Sequence, residues 1–432
     1  MAALKLDEAL VESARASAAA AWQIVRYRRA EWWPFLRERW GWHSRARIGT
    51  GPRIWIVCAP GGEVVQTAAL GPALRRAFPD ATLVLSTTNA PFLAVARRIG
   101  GLDRCFFTPF DRRRPVGRAL AGLRPDLLVT VESAFTPVLL REAHRRGIVT
   151  MLASGTMTAD YHLEPSYARA LRHRVFDAID VVGVKDASEP DAFARLGVPA
   201  PRIRLLGDLR HDGAFFRVDE SERAAWRVRL GVRPGEGLLV AGSVRGGEEE
   251  PILEAYARLR EKDAPLRLVI APRFVAQTPC IEREGAARGL GVERVSAGAP
   301  RGADVIVLDT YGDLPRVYAL ARYVFLGGTL VRVGAGLGQN LIEPLAHGAP
   351  IFFGPHVKRW AAITAELCGI FPGLAIEGAD DLVAGVLALE AAPATVAALR
   401  ERAQALMARG ADATARHVEA IREALAARRS IA

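Results

Sequence analysis

Arg53-Ile54-Trp55-Ile56-Val57-Cys58-Ala59-Pro60-Gly61-Gly62-Glu63-Val64-Val65-Gln66 is a short unbroken apolar run, a glycine turn and the start of a helical pattern. An apolar run without alternation suits a strand covered on both faces. The same unit recurs outward from it. Strands are expected at Ile54–Cys58, Thr82–Ser86, Cys105–Phe107, Leu127–Val131, Val149–Ala153, Val181–Val184 and Ile203–Leu206. Helical segments such as Val65–Phe78 and Pro137–Arg146 separate them. This β-α-β alternation predicts a parallel sheet between two helical layers. After the charged stretch Arg217–Arg229, expected to be a helix, a second series begins: Leu238–Ala241, Leu268–Ala271, Val305–Leu308, Val324–Leu326 and Ile351–Phe353. From Ala379 the chain reads as alanine-rich helix. The expected fold class is α/β, with two Rossmann-like domains whose parallel sheets face each other across a cleft. The divisions expected are 1–50, 51–215, 216–410, and a C-terminal helix at 411–432 that packs back on the first domain. Such sheets bind ligands beyond the carboxyl ends of their strands, so the loops there are expected to carry function.

The 432 residues are half hydrophobic and 24% charged, which excludes a disordered tail or a fibre. The net charge is +11, and apart from Lys5, Lys185, Lys262 and Lys358 every base is arginine. Residues 1–217 hold 32 bases and 21 acids, whereas residues 218–432 hold 26 of each, so the whole excess belongs to the first half. Cys58, Cys105, Cys280 and Cys368 are far apart and form no metal-ligand spacing, as in a reduced cytosolic protein.

Near the start, Ala16–Val25 is too short to span a bilayer. Beyond it Trp22, Trp32, Trp33, Trp40 and Trp42 alternate with Arg26, Arg28, Arg29, Arg37 and Arg39. Tryptophan favours the headgroup level and arginine pairs with anionic lipid. Two readings stand: a segment lying on a membrane surface, or an amphipathic helix packed on its own domain.

Loops at strand ends carry the chemistry, two in the first half and four in the second. Gly61 and Gly62 allow a tight turn that leaves Glu63 at a helix start facing the cleft, placed for a general base or simply complementing the helix dipole. Glu132 ends the fourth strand in the same manner. In the second half, Gly242-Ser243 opens a glycine-rich turn into the acidic pair Glu248-Glu249, which suits an anion site. Pro272-Arg273 ends the next strand, where a guanidinium can fork onto a phosphate. Asp309–Leu314 follows another strand. The densest loop runs from Gly327-Gly328 through Gly334, Gly336 and Gly338 to Asn340, before a helix carrying Glu343, which could accept from ribose hydroxyls. The four loops of the second half, at strand ends of one sheet, together predict a nucleotide site. The chain has no Asp-x-Asp pair, P-loop, nucleophile elbow or histidine cluster, so a metal–diphosphate clamp, P-loop chemistry and α/β-hydrolase chemistry are not expected. His211 and His356 read as ordinary polar loop residues.

The order and spacing of Arg37-Glu38-Arg39-Trp40-Gly41, Gly62-Glu63, Gly207–Asp212, Gly242-Ser243 with Glu248-Glu249, Pro272-Arg273, Asp309–Leu314, Gly327–Leu330, Gly338–Pro344 and Gly354-Pro355-His356 resemble the 3-deoxy-D-manno-octulosonic acid (Kdo) transferases of lipopolysaccharide assembly. The resemblance runs from about Trp32 to the last helices. It implies a GT-B glycosyltransferase that moves Kdo from CMP-Kdo to a lipid A precursor, with inversion, no cofactor and no active-site metal. It implies Glu63 as base and CMP contacts at Pro272, Arg273, Tyr311, Gly312, Asp313, Asn340, Leu341, Ile342 and Glu343, with Gly242, Ser243 and Gly328 in the same donor site. Gly62, Glu132, Arg210 and Asp212 are the acceptor or cleft candidates. A peripheral position on the inner face of the cytoplasmic membrane follows from the same resemblance. The chain departs from the family pattern at Arg245 and Gly246 (histidine and glutamate in the family), at Phe274 and Gln339 (histidine) and at Arg359 (asparagine). Ala153-Ser154-Gly155 replaces the family's Asn-Ala-Arg, and the family's hydrophobic N-terminal anchor is missing.

Two other readings compete: a sugar-nucleotide epimerase or hydrolase of the same fold, which would prefer UDP to CMP, and a non-catalytic member that binds nucleotide or membrane. A nucleic-acid partner is not expected, because the arginines are dispersed and no aromatic stacking motif accompanies them. An anionic lipid acceptor on an anionic surface suits the charge asymmetry, with Arg112-Arg113-Arg114 in the basic half.

Overall fold

The computed structural model describes residues 29–43, 50–59, 61–132, 134–157, 175–212, 218–298, 302–332 and 338–429. Two sheets, every strand pair parallel, account for the thirteen described strands. The first holds β1 (Arg53–Val57), β2 (Thr82–Thr87), β3 (Arg104–Phe107), β4 (Leu127–Val131), β5 (Val149–Gly155), β6 (Val181–Val184) and β7 (Ile203–Leu205), in the order β3-β2-β1-β4-β5-β6-β7. The second holds β8 (Gly237–Val244), β9 (Leu266–Pro272), β10 (Val292–Arg294), β11 (Val305–Val307), β12 (Ala321–Leu326) and β13 (Ile351–Phe353), in the order β10-β11-β9-β8-β12-β13.

The apolar runs explain both sheets. Every residue of β2 and β4 is buried, and β1 is buried from Ile54 onward. Inside the first sheet the Trp55 indole N–H donates to Ser86 Oγ at 2.9 Å, and Thr108 Oγ1 donates to the same oxygen at 3.0 Å. Strand β10 is not among the expected ones. It is a three-residue edge strand, Val-Glu-Arg, only half buried, so it lacks an apolar run. The expected helix Val65–Phe78 is instead two helices, Gly62–Gln66 and Leu70–Ala77. The Thr67 hydroxyl donates to the Val64 carbonyl at 2.7 Å in the intervening turn, and Pro72 has no N–H to continue the ladder.

Helix Arg29–Arg39 is clipped to β3 through Glu38, whose carboxylate accepts from the Phe107 N–H at 2.9 Å and lies 3.4 Å from Arg104. Phe35 packs edge-on against Phe107. Gly41, at φ +79°, lets the chain turn away, because a Cβ there would stand 2.0 Å from the Pro115 carbonyl oxygen. Trp33, Trp40 and Trp42 remain 66%, 45% and 49% exposed. Residues 22–28 of the Trp/Arg segment lie outside the described residues. Among the described residues no single helix is long and apolar enough to cross a membrane.

The last helix, Ala413–Arg429, packs on the first domain. Arg416 Nε donates to the Leu206 carbonyl at 2.9 Å, and Arg428 holds Asp126 through its carbonyl at 2.8 Å and its carboxylate at 3.0 Å. Buried His417 completes the seam. Its Nε2 accepts from the Ser154 N–H at 3.1 Å, which leaves Nδ1–H to donate to the Ala413 carbonyl at 2.8 Å. Both ring nitrogens are committed in the neutral tautomer, and a proton on Nε2 would face another donor. Burial, more than any neighbour, depresses its pKa to about 4, against opposing contributions from Ala413, Asp208 and Asp212. A histidine depressed below its unfolded pKa contributes stability above that value and loses it as pH falls. We expect stability to drop between pH 6.5 and pH 4, by up to about 3 kcal/mol from this site. Urea melts across that range should show a shallower loss for His417→Gln than for the parent, and equal slopes would contradict the assignment.

A cleft at two topological switch points

Strand order reverses between β1 and β4 in the first sheet and between β8 and β12 in the second. Ligands of open α/β sheets sit at such points, beyond the carboxyl ends of the strands. The four loops there are Ala59–Glu63 after β1, Glu132 after β4, the turn to Glu248 after β8, and Gly327–Val331 after β12. Three non-glycine residues with left-handed backbone stand at strand carboxyl ends: Glu132 at φ 52°, Ser154 at φ 50° and Ser243 at φ 59°. Backbone held in this region is costly and collects at functional sites.

Residues from both domains line one cavity there. Gly61, Gly62, Val65 and Phe92 come from the first, and Ser243, Pro272, Arg273, Thr310, Tyr311, Gly312, Gln339, Asn340 and Glu343 from the second. The Phe92 and Tyr311 rings meet at 5.9 Å, and Arg98 bridges to Asp313 at 3.6 Å. A Cβ on Gly61, at φ +121°, would lie 3.4 Å from the Arg273 guanidinium, so this glycine lets the first domain's turn approach a cation of the second. Glu63 follows this turn at the start of helix Gly62–Gln66, 7% exposed, and its carboxylate accepts from the Ala59 N–H at 2.6 Å. That bond turns the carboxylate back onto the end of β1, so Gly61, Gly62 and Val65 line the cavity while Glu63 itself lies just behind its lining.

Behind the turn lies a buried charge cluster. Arg210 forks between Asp208, at 2.9 Å, and Glu132. Glu132 also accepts from the Gln66 amide at 3.1 Å and faces Arg359 of the second domain at 3.6 Å. Burial opposes the charge on Arg210, but Asp208 and Glu132 outweigh it and hold its pKa above the ordinary value. Burial likewise opposes ionisation of Asp208, and Arg210 and His211 keep its carboxyl below the ordinary range. Across the cleft, burial pushes the Glu343 carboxyl up, countered by Asn340, which donates to it at 2.9 Å, and by Arg210 and Arg273.

A single carboxylate shapes the second domain's loops. Fully buried Glu248 accepts from the backbone N–H groups of Arg245 (2.9 Å), Gly328 (2.7 Å), Thr329 (2.9 Å) and Leu330 (2.9 Å). The turn after β8 and the loop after β12 are thereby one unit. Several polar atoms around the cleft are buried without a partner among the described residues: Gln66 Oε1, Thr310 Oγ1 and the Nε atoms of Arg210, Arg245, Arg273 and Arg359. Unpaired buried polar atoms are costly, and two of these residues, Thr310 and Arg273, line the cavity itself.

Not every expected site residue reaches the cavity. Leu341 and Ile342 are fully buried apolar side chains, so only their backbone can serve a ligand. Gly242 packs on Tyr318, whose hydroxyl would lie 1.8 Å from a Cβ there. Gly328 packs on Gln339 and Arg245, and Asp313 is engaged by Arg98. The Asp212 carboxylate accepts from the Thr414 N–H and so anchors the last helix. Residues 333–337 of the glycine loop lie outside the described residues. Phe92, Arg98 and Gln66 were not expected. Phe92 follows β2, so the strand-end rule applied to Thr87–Phe92 finds it, whereas nothing local marks Arg98 or Gln66. Among the described residues no group of three His, Cys, Asp or Glu is placed to hold a metal ion.

Residues 35–213 match the family model described as 3-Deoxy-D-manno-octulosonic-acid transferase (kdotransferase). The 3-deoxy-D-manno-octulosonic acid transferase of Bordetella pertussis is 28% identical, over 93% of this chain and 95% of that protein. That of Chlamydophila psittaci is 27% identical over 79% of this chain and 78% of its own length. Among solved structures, Anabaena HepE in complex with UDP-glucose superposes with a TM-score of 0.59 at 13% identity, covering 87% of this chain and 99% of that one. The UDP-GlcNAc 2-epimerase of Neisseria meningitidis gives 0.55 at 11% identity, covering 86% and 100%. These two likenesses establish the fold, two Rossmann-like domains in the GT-B arrangement. Through residues 35–213 and through relatives that span most of its length, the chain is similar to the 3-deoxy-D-manno-octulosonic acid transferases.

Proposed function

We propose that the protein transfers a 3-deoxy-octulosonic acid from CMP-Kdo, or a related CMP-ulosonic acid, to a lipid A-type acceptor in lipopolysaccharide synthesis. The observation that carries this reading is the meeting of the Glu63 turn with the Arg273 loop around one cavity. The acceptor hydroxyl oxygen attacks the anomeric carbon, the bond from that carbon to the phosphate oxygen breaks, and CMP leaves with the electron pair. The hydroxyl proton passes to Glu63. Attack on the face opposite the departing phosphate inverts the anomeric centre.

The anomeric carbon of a ulosonic acid is tertiary, so its transition state is cation-like, and CMP is already a good leaving group. The protein has chiefly to position the acceptor and stabilise the departing phosphate. Arg273 and the backbone donors of the surrounding loops supply that charge with no need for a metal or cofactor. Glu343 and Asn340, which line the same cavity, would meet the ribose hydroxyls. The acceptor would approach along the first half of the chain, which holds its charge excess and receives Arg416, Arg422 and Arg428 from the last helix. Exposed Trp33, Trp40 and Trp42 suit contact with the inner face of the cytoplasmic membrane.

Thermal stabilisation across CMP, CDP and UDP tests the donor. We expect CMP to raise Tm most and Arg273→Gln to weaken CMP binding about tenfold or more. A larger shift with UDP would contradict the reading and favour an epimerase-like activity. A vesicle-binding assay tests the surface, and binding indifferent to both anionic lipid and salt would remove the membrane reading.

A further inference from the structure

Arg245 and Arg273 both lie against one exposed aromatic ring. Their guanidinium carbons stand 5.1 Å and 5.9 Å from the centroid of Phe274, which is 52% exposed. Neither arginine forms an ion pair among the described residues, and the Nε of each is buried without a partner. Glu248, the carboxylate next to Arg245, spends its oxygens on backbone N–H groups of residues 245 and 328–330 and acts on the guanidinium through its charge rather than by an ion pair. Burial and the charge of Arg273 disfavour the charged form of Arg245, only partly opposed by Glu248.

The two cations occupy different places. Arg273 lines the nucleotide cavity. The Arg245 stem lies over Gly328, 3.4 Å from where a Cβ would stand, beside Gln339 at 3.0 Å from the same point, and so at the rim of that cavity. A ligand with one anionic group leaves one cation unmatched. A ligand with two anionic groups on the same carbon can engage both, and the two arginines repel each other less once it does.

We propose that Arg245 binds the carboxylate of the sugar acid while Arg273 binds the phosphate, so that the pair selects donors carrying both anions on the anomeric carbon. This rests on the CMP-ulosonic acid reading of the cleft. It assigns a specificity role to a position where the resembling family carries histidine. Phe274 holds both forks by guanidinium–aromatic stacking and Glu248 fixes the backbone beneath Arg245.

Calorimetric titration without acceptor separates the possibilities. The ligands are CMP, CMP-Kdo and the methyl ester of its carboxylate. The wild type should bind the acid about tenfold or more tighter than the ester. Arg245→Gln should abolish that preference and leave CMP affinity within about twofold, since a charge-assisted pair is lost only with the carboxylate. Arg245→Lys should restore part of it, which a merely structural role would not. Equal affinity of the wild type for acid and ester, with CMP still bound, overturns the proposal and leaves the donor reading standing. So does an Arg245→Gln variant that loses CMP as strongly as CMP-Kdo. Failure of the folded wild type to bind CMP at all overturns the donor reading and this proposal with it.

Discussion

Glu63→Gln should lower the rate of sugar transfer about 10²–10⁴-fold while CMP binds as before. Glutamine keeps the shape of the side chain and an oxygen that can accept from the Ala59 N–H, the bond that Glu63 makes at 2.6 Å. What it loses is the capacity to take a proton. Glu63 is the second residue of helix Gly62–Gln66, directly after the turn that follows β1. Steady-state kinetics with acceptor, paired with CMP titration of the same sample, separate lost chemistry from lost binding. Turnover within about twofold of the parent would remove Glu63 from the base role, since even modest general-base catalysis contributes more than that.

Arg210→Met should destabilise the fold by about 3–5 kcal/mol, lowering Tm on the order of 10 °C. Glu132, Asp208 and Arg210 are all nearly inaccessible, and the substitution leaves two carboxylates inside without the cation that forks between them. Arg359 lies 3.6 Å from Glu132 and offsets part of the loss, but nothing comparable reaches Asp208 except His211 and Lys185. Arg210→Lys should recover a fraction, since it restores charge without the fork. A melting temperature unchanged by Arg210→Met would show that the cluster is not an ionised unit. Because Glu132 and Arg359 come from opposite domains, the variant should also change how the domains approach, and CMP affinity read beside Tm reports that.

Most of the fold could be read from the chain because both sheets are buried on two faces. Their strands are unbroken apolar runs, such as Leu127–Val131, bounded by glycine and polar turns. The edge strand Val292–Arg294 escapes that signal, and the break at Thr67 depends on a side-chain hydrogen bond no periodicity announces. The cleft loops were legible for the same reason as the strands, since ligands collect at carboxyl ends. Their internal wiring was not. Glu248 binds backbone 80 to 82 residues away, and Arg210 finds Glu132 across 78 residues, so only the folded sheets bring them together. Residues marked by family resemblance divide accordingly: Arg273, Tyr311 and Asn340 line the cavity, whereas Leu341, Ile342 and Asp212 support it.

The most direct measurement is incubation of the purified protein with CMP-Kdo and a lipid A precursor, followed by mass analysis of the lipid. A gain of Kdo by the lipid together with release of CMP, both lost in Glu63→Gln, is the result expected. A lipid of unchanged mass, in the presence of folded protein that CMP stabilises, would contradict the proposed transfer of Kdo to lipid A.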